Sequence, residues 1–393
     1  MISGFSPVRS RERFLVFGAP SIEEEEIAEV VASLRSGWIG TGPKVARLQE
    51  EFVRYKGGER IGVAVNSCTA ALHLSMLVAG LQPGDEVITT ALTFCSTVNA
   101  IIHAGATPVL ADVDPATMNI DPVEVERKIT PRTRALIPVH FAGRACAMDQ
   151  LCALSSQYGL KMVEDCAHAI ETQYHGRPAG TFGDFGCFSF YVTKNMTTVE
   201  GGMILAANSA DADRLKVLTL HGMSRDAWKR YSDEGYKHYQ VVNAGFKYNM
   251  TDLAASLGLH QLARIERGHL RRRQIWQKYK EAFCDLPLGL PAEDEPENRH
   301  ALHLYTVLID EKVTDVSRDA FLDRMTAHHI GIGVHYLSIP EHPFYQERLR
   351  IRPEDYPEAM RIGRQTVSLP LAANLSDEDV EDVILAVRRS LQV

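Results

Sequence analysis

Between residues 61 and 207, short runs of consecutive apolar residues alternate with segments of helical periodicity, and the connections between them are short. Strands of a parallel sheet are covered by helices on both faces, so they are apolar throughout rather than at every second position. The alternation therefore predicts an α/β fold with a mainly parallel sheet. The predicted strands, in chain order, are 61–65, 86–90, 108–112, 135–140, 160–164, 183–190 and 202–207.

The chain after this region predicts a second, smaller part. Helical periodicity over residues 251–283 predicts a long connecting helix, and the segment 286–297, which contains Pro and Gly, ends it. Ser376 precedes acidic residues as a typical N-cap does, and it predicts a terminal helix to about Leu391. We therefore expect a large α/β domain over residues 1–255. Residues 256–393 would form the connecting helix and a small α+β domain.

Charge and hydropathy exclude several classes of protein. The net charge is −8 and the basic residues are scattered, which is unlike a nucleic-acid-binding surface. The most apolar stretch, 61–81, is interrupted by polar residues and is not a membrane span. Residues 1–13 have no apolar run behind their basic residues, so we expect no signal peptide. The seven cysteines form no CxxC pair, so neither disulfides nor a metal site is expected. Together these features predict a soluble, cytoplasmic protein.

Two residues at the ends of predicted strands carry the strongest chemical signal. Lys194 follows the aromatic strand that ends at Phe190, and Asp165 follows the strand 160–164. A lysine amine can bind an aldehyde cofactor covalently, and a carboxylate can keep a pyridine nitrogen protonated. Both are requirements of pyridoxal 5′-phosphate. The alternatives are a solvated surface lysine and an ordinary helix cap.

Other residues of this region suit the remaining parts of such a cofactor. The segment 65–71 supplies N–H groups and hydroxyls at a strand-to-helix junction, where a phosphate is favoured, although it could be a simple N-cap. Ser189 offers a further hydroxyl beside the lysine. Phe94 could stack on a planar ring, and His168 could donate to a phenolate oxygen. Either side chain could instead pack in the core.

Three segments together closely resemble the DegT/StrS aminotransferases. They are Glu-Asp-Cys-Ala-His-Ala at 164–169, Phe-Ser-Phe-Tyr-Val-Thr-Lys-Asn at 188–195 and Glu-Gly-Gly-Met at 200–203. Members of this family are pyridoxal phosphate enzymes of fold type I, the aspartate aminotransferase fold, and they aminate keto-sugars that are usually linked to a nucleotide. The resemblance covers nearly the whole chain. The further matching segments are 36–42, 67–73, 140–143, 245–252, 335–336 and 368–371.

The resemblance implies a role for each residue of the site. Lys194 would bind the cofactor covalently and then move protons, which favours transamination over the dehydration catalysed by a family branch with histidine at this position. Asp165 would bind the pyridine nitrogen. The other implied cofactor-binding residues are Cys68, Thr69 and Ser189 at the phosphate, Phe94 on the ring, and His168 at the phenolate oxygen.

The sequence departs from the family pattern at three of these positions. Many members have Gly in place of Cys68, so the backbone N–H at this position is the expected phosphate ligand. Many have Gln in place of His168, and the His variant resembles enzymes that make 4-amino-4-deoxy sugars. Lys247 replaces an Asn that reaches the phosphate of the neighbouring subunit, and could act there as a point charge. The resemblance therefore implies a homodimer with shared active sites.

The same resemblance implies where the substrate binds and what it is. Arg225, Lys229 and Arg230 could contact a nucleotide diphosphate, or could simply be solvated charges. Trp38, His335 and Tyr336 are further candidate substrate residues.

The implied reaction moves an amino group from glutamate to a keto-sugar, above all a 4-keto nucleotide sugar, in the synthesis of surface polysaccharides or amino sugars. One alternative acceptor is a 3-keto-sugar or an aminocyclitol. An alternative of another class is a non-catalytic regulator or scaffold with the same fold.

Overall fold

The computed structural model describes residues 6–224 and 239–392. Within them a seven-stranded sheet has the order β1-β9-β8-β5-β4-β2-β3, and β9 runs antiparallel to both of its neighbours. The other neighbouring pairs are parallel. The strands of this sheet are β1 Ile61–Val65, β2 Glu86–Thr90, β3 Thr107–Ala111, β4 Thr133–Ile137, β5 Lys161–Asp165, β8 Phe185–Ser189 and β9 Gly202–Ala206. Two two-stranded sheets contain β6 Gln173–Tyr174 with β7 Arg177–Pro178, and β10 Tyr305–Leu308 with β11 Thr366–Leu369.

Helices connect the strands and build the C-terminal part. In chain order they are α1 Glu24–Ser36, α2 Pro43–Tyr55, α3 Cys68–Val78, α4 Cys95–His103, α5 Pro122–Lys128, α6 Met148–Tyr158, α7 Ser209–Thr219, α8 Asp252–Ala263, α9 Ile265–Phe283, α10 Glu311–Thr314, α11 Arg318–Ala327, α12 Pro343–Leu349, α13 Pro357–Gln365 and α14 Asp377–Leu391. The helix predicted over residues 251–283 is thus two helices, which Arg264 separates with a non-helical backbone conformation.

Both faces of the large sheet are covered, as its apolar strands require. Phe185 and Cys187 of β8 pack with α3 and α7, whereas Phe188 belongs to the cluster formed with α2 and α8. Successive side chains of a strand point to opposite faces, so one strand contributes to two cores. The predicted α/β architecture of fold type I is confirmed. A separate core beneath β10 and β11 is built from α9, α11 and α14.

Residues 6–18, which include a 3₁₀ turn at Arg11–Arg13, form a segment here called the N-terminal strap. The guanidinium of Arg9 lies 2.7 Å from a carboxylate oxygen of Asp379 and 2.8 Å from one of Asp382, both on α14. Leu15 forms a parallel bridge with Ile330. The strap ends at Gly18, where a Cβ atom would lie 3.1 Å from the Cβ of Thr193. It therefore joins the C-terminal helix to the neighbourhood of Lys194.

The seven cysteines are all unpaired, and three of them are fully buried. No helix in the described ranges is long and apolar enough to cross a membrane.

Candidate active site

Lys194 lies in the turn between β8 and β9, where its N–H donates to the carbonyl of Tyr191 over 2.9 Å. Burial lowers the pKa of its amine to about 8, against the opposing influence of Cys68 and Asp165. An ordinary lysine is almost fully protonated at neutral pH, so this shift enlarges the neutral, nucleophilic fraction. The environment of Lys194 is that of a reactive amine.

Asp165 ends β5 and is buried. The hydroxyl of Thr97 donates to one of its carboxylate oxygens over 2.8 Å, and the Ala167 N–H donates to the other over 3.1 Å. Burial raises the pKa of this carboxyl. An ionised carboxylate has acceptor positions beyond these two bonds, and a cation beside it would hold the charged form.

The preceding residue, Glu164, faces the other way, as strand geometry requires. Its carboxylate accepts N–H groups of Gly180, Phe182 and Gly183 at 2.7–2.8 Å. Burial alone would raise the pKa of Glu164, but hydrogen bonds from His140 and from this loop hold it below its ordinary value. Glu164 therefore anchors the loop that leads into β8, whereas the Asp165 side chain lies in the candidate site.

The N-terminus of α3 forms the third part of the site. The Ser67 side chain caps the helix by accepting the Ala70 N–H over 3.1 Å, so helix geometry leaves the N–H groups of Cys68 and Thr69 for an anion. A Cβ at Gly202 would lie 2.8 Å from the carbonyl carbon of Ser67 and 2.9 Å from the nitrogen of Cys68. Glycine at this position thus lets β9 pack against the start of the helix.

Aromatic side chains border the same region. Phe94, at the N-cap of α4, is half exposed, and its ring centroid is 5.7 Å from that of Tyr336. The Tyr336 oxygen is 2.9 Å from Nε2 of His168, whose Nδ1 accepts the Ala142 N–H over 3.2 Å. Burial lowers the pKa of His168 well below its ordinary value, so the ring is neutral. Its proton is therefore on Nε2, which donates to Tyr336.

His335 belongs to the same group. Its Nδ1 lies 2.9 Å from the Ser368 hydroxyl, and its ring packs 5.5 Å from Phe17 of the strap. Burial is the main cause that lowers the pKa of His335 to about 4, and the charge of Lys194 is the second. The structure thus brings His335 and Tyr336 to the predicted cofactor residues.

The remaining predicted residues are placed differently. Ser189 is buried at the end of β8, where its hydroxyl accepts the Tyr191 N–H over 3.4 Å. Trp38 follows α1 in an exposed loop, and Lys247 is exposed with its carbonyl 3.3 Å from the Asn66 amide nitrogen. Within the described residues, no hydrogen bond or ring contact joins Trp38 or Lys247 to Lys194, Asp165 or the aromatic residues of the site. Arg225, Lys229 and Arg230 lie outside the described residues.

Several residues of the site were not predicted from the sequence. Thr97 lies three residues after Phe94, so one turn of α4 places both beside the site, and this spacing could have identified it. Glu171 and His303 bond the side chain of Asn195, the residue after the lysine, and Arg272 pairs with Glu171. Nothing in the sequence connects these distant positions, because only the fold brings them together.

The site fits pyridoxal phosphate on its own chemistry. It offers a buried carboxylate for a protonated ring nitrogen, free helix N–H groups for a phosphate, an aromatic face, and an amine of lowered pKa. These four features are the parts that such a cofactor requires, and they follow the ends of four strands of one sheet, β1, β2, β5 and β8.

The comparisons with known proteins agree with this reading. Residues 20–388 match the model of the DegT/DnrJ/EryC1/StrS aminotransferase family. The chain is 47% identical over 382 residues to the spore coat polysaccharide biosynthesis protein SpsC of Bacillus subtilis, covering 97% of this chain and 98% of SpsC.

Solved structures are similar over comparable lengths. The pyridoxal phosphate form of Spr1654 from Streptococcus pneumoniae, described as a candidate sugar aminotransferase, superposes with a TM-score of 0.88 at 33% identity, covering 96% of this chain and 98% of that one. DesI, solved in the presence of its TDP-sugar product, superposes with a TM-score of 0.85 at 30% identity, covering 99% and 95%.

Proposed function

The chain belongs to the DegT/DnrJ/EryC1/StrS aminotransferase family and is a pyridoxal phosphate-dependent sugar aminotransferase; from this premise, we propose that it moves an amino group from glutamate to a 4-keto nucleotide sugar in the cytoplasm. Glutamate would leave as its 2-oxo acid, and the carbonyl of the sugar would become an amine. The observation that supports the proposal best is the convergence of Lys194, Asp165 and the N-terminus of α3 on one edge of the sheet.

We assign the cofactor contacts as follows. The N–H groups of Cys68 and Thr69, with the Ser189 hydroxyl, bind the phosphate. The Asp165 carboxylate would accept a hydrogen bond from the protonated ring nitrogen, and Thr97 holds that carboxylate in place. Phe94, beside Tyr336, would supply the aromatic face, and His168 with Tyr336 would serve the phenolate oxygen. When bound, pyridoxal phosphate supplies an electron sink for negative charge on the amine-bearing carbon.

Lys194 moves the proton in this assignment. Its Nζ takes the proton that leaves the amine-bearing carbon of the donor and returns a proton to the acceptor carbon. A general base is most efficient when its pKa is close to the working pH, and the lowered pKa of about 8 suits both directions.

The names of related proteins support the choice of substrate. DesI was solved in the presence of its TDP-sugar product, and SpsC is a spore coat polysaccharide biosynthesis protein. We infer that this chain also aminates a nucleotide-linked sugar destined for a polysaccharide. A 3-keto-sugar or an aminocyclitol would present a different carbon to the same amine.

We further propose a homodimer with shared active sites. Phe94, whose ring centroid is 5.7 Å from that of Tyr336, is 55% exposed, and Val199, five residues after Lys194, is 59% exposed. Apolar side chains beside a site that excludes water favour cover by a second copy of the chain. In this arrangement Lys247 reaches the phosphate bound by the partner.

Mixed dimers test the shared site. Lys194→Ala and Lys247→Ala should each be inactive as homodimers. Refolded together, they should regain up to about a quarter of wild-type activity, since half of the dimers are mixed and each has one intact site out of two. Mixtures that stay inactive while forming heterodimers would exclude this role of Lys247.

A spectroscopic titration tests the function itself. The visible absorbance of the bound cofactor should fall when glutamate is added and return with one member of a panel of 4-keto and 3-keto nucleotide sugars. The sugar that restores it identifies the acceptor. Absorbance that does not respond to any amino donor would favour the non-catalytic alternative.

Lys194→Ala should lose covalently attached cofactor after borohydride reduction and lower the transamination rate by at least about 100-fold. The matched control Lys312→Ala, at an exposed position, should behave as the wild type. Full turnover in Lys194→Ala would refute the proposed site.

A further inference from the structure

The side chain of Asn195 is held from several directions. Its amide nitrogen lies 3.1 and 3.0 Å from the two carboxylate oxygens of Glu171 and 2.9 Å from the carbonyl oxygen of Ala301. All of these atoms are acceptors, so the nitrogen, not the oxygen, of the amide faces them. The orientation of Asn195 is therefore fixed by its neighbours.

This orientation determines the state of His303. The Asn195 amide oxygen points at Nδ1 of His303 over 3.0 Å, so that nitrogen carries a proton. Burial lowers the pKa of His303 well below its ordinary value, and the ring is neutral. Its centroid lies 4.5 Å from that of His168, the neighbour of Tyr336. The Asn195 contacts thus extend to the cofactor residues.

A buried ion pair supports the other side of Asn195. The Glu171 side chain is completely buried and that of Arg272 is 3% exposed, and the guanidinium donates to the carboxylate. Burying two charges has a large desolvation cost, and an apolar pair of similar size is often at least as stable. A contribution to stability therefore explains the presence of this ion pair poorly. Its contact with Asn195, the residue after Lys194, explains it specifically.

We propose that Asn195 is a positioning residue for Lys194, and that Glu171 and Arg272 act through it to hold the lysine turn in place. The proposal rests on the assignment of Lys194 as the reactive amine. Asn195 ties the turn after β8 to the loop after β5 and to the segment before β10, and through Glu171 to α9. Loss of these bonds would let the turn relax toward solvent and return water to the Lys194 amine.

Solvation of Lys194 can be measured without turnover. Enzyme loaded with pyridoxamine 5′-phosphate, which carries no aldehyde, leaves the Lys194 amine unattached. Competitive labelling with acetic anhydride across a pH series, followed by mass spectrometry of the Lys194 peptide, then gives the pH at which this amine is half protonated. A change in access alone scales the labelling at every pH equally and leaves that midpoint unchanged.

The groups that face Lys194 are the same in every variant of this series. They are the carboxylate of Asp165, the thiol of Cys68, and the imidazoles of His168, His303 and His335. A shift of the midpoint therefore reports the burial of the amine rather than a substituted partner.

Asn195→Ala should raise the labelling midpoint by about one pH unit toward the value of an ordinary lysine. The matched control is Asn298→Ala, because Asn298 is a partly exposed asparagine that, like Asn195, bonds a carboxylate, and it also accepts a backbone N–H. Its midpoint should equal that of the wild type. An unchanged midpoint in folded Asn195→Ala would overturn the proposal.

A double substitution tests the ion pair without leaving a single buried charge. Glu171→Leu with Arg272→Met replaces the pair by apolar side chains and should raise the midpoint by a smaller amount than Asn195→Ala. Added to Asn195→Ala, it should cause no further shift, because the pair acts through Asn195. Additive shifts would show that the pair acts by another route.

Failure of this inference is distinguishable from failure of the proposed function. Borohydride reduction of the wild-type enzyme loaded with pyridoxal phosphate should attach the cofactor to Lys194. Attachment elsewhere would refute the site. Attachment at Lys194 with equal midpoints in all variants would refute only the positioning role.

Discussion

Asp165 is a buried carboxylate with one hydrogen bond to each oxygen, and its pKa is raised by burial. Such a group is stable as a charge only with a cation beside it, and a protonated ring nitrogen would be that cation. We expect Asp165→Asn to bind cofactor but to lower the transamination rate by about 100- to 1000-fold, as the loss of one preorganised electrostatic partner does. Steady-state kinetics with saturating cofactor will measure this.

The matched control is Asp121→Asn, because Asp121 caps α5 and asparagine caps a helix equally well. It should leave the rate unchanged. A normal rate in Asp165→Asn would mean that the cofactor ring lies elsewhere.

Lys194 should also show its lowered pKa when the cofactor attaches. Only the neutral amine is nucleophilic, so below a pH of about 8 the attachment rate should fall by roughly tenfold for each pH unit. Above that pH the rate should level off. Stopped-flow absorbance after mixing the apoprotein with pyridoxal phosphate at a series of pH values will show the inflection. A rate that keeps rising beyond a pH of about 10 would indicate an ordinary, solvated lysine.

At this scale, a sequence predicts a site residue where few other roles are compatible with its residue type and position. The roles assigned to Lys194 and Asp165 stay predictions. Lys194 and Asp165 were predicted because a lysine and a carboxylate at strand ends point to one cofactor chemistry. Glu171 and His303 could not be predicted, since a glutamate in a loop and a histidine before a strand are compatible with many roles. Their importance comes from contacts with Asn195 that only the folded chain makes.

The helix α2 depends on a residue of another helix. Its N-cap is Gly42, which has no side chain, and the carboxylate of Asp252 on α8 accepts the N–H groups of Gly42, Lys44 and Val45 at 2.8–3.1 Å. We expect Asp252→Ala to lower the free energy of unfolding by about 2–4 kcal/mol, because buried N–H groups lose their acceptor. Urea denaturation at one protein concentration will measure it.

Asp121→Ala provides the comparison, since Asp121 caps only its own helix with a single N–H. It should cost about 1 kcal/mol. Equal costs for the two substitutions would contradict the role of Asp252 in joining α2 to α8.

Helices and strands could be predicted from the sequence where their pattern of apolar and capping residues is long. The strands of the large sheet follow from runs of apolar residues, and the terminal helix follows from Ser376, which forms a capping box with Asp379. The hairpin of β6 and β7 was not predicted, because two-residue strands show no periodicity. The break at Arg264 was missed because a single non-helical residue leaves the apolar pattern intact. Its guanidinium binds the Ser21 carbonyl, a contact that sequence alone does not show.

Across the whole molecule, the N-terminal strap depends on one partly buried cation. The Arg9 side chain is 7% exposed, and it pairs with the carboxylates of both Asp379 and Asp382. We expect Arg9→Met to increase hydrogen exchange of the Leu15 and Gly331 amides, which bond across the strap, by at least roughly tenfold. Exchange in α3 should stay unchanged. Mass spectrometry of labelled peptides will resolve both regions.

Arg13→Met is the control, because Arg13 is 54% exposed and pairs with an exposed Glu378. A surface pair of this kind contributes little, so exchange should match the wild type. Protection of the strap that persists in Arg9→Met would show that its backbone hydrogen bonds are enough to hold it in place.

The division into domains at residues 255 and 256 stays a prediction.

The contacts of the strap also form in a fixed order during synthesis of the chain. Arg9 is 370 positions before Asp379 and 373 before Asp382, so a ribosome makes it long before its partners exist. The central sheet and the bridge between Leu15 and Ile330 can form while synthesis continues, but Arg9 can pair with α14 only after that helix has emerged. Until then the strap that leads to Gly18 lacks these ion pairs. The strap beside the lysine turn is therefore fully anchored only after α14 has been made.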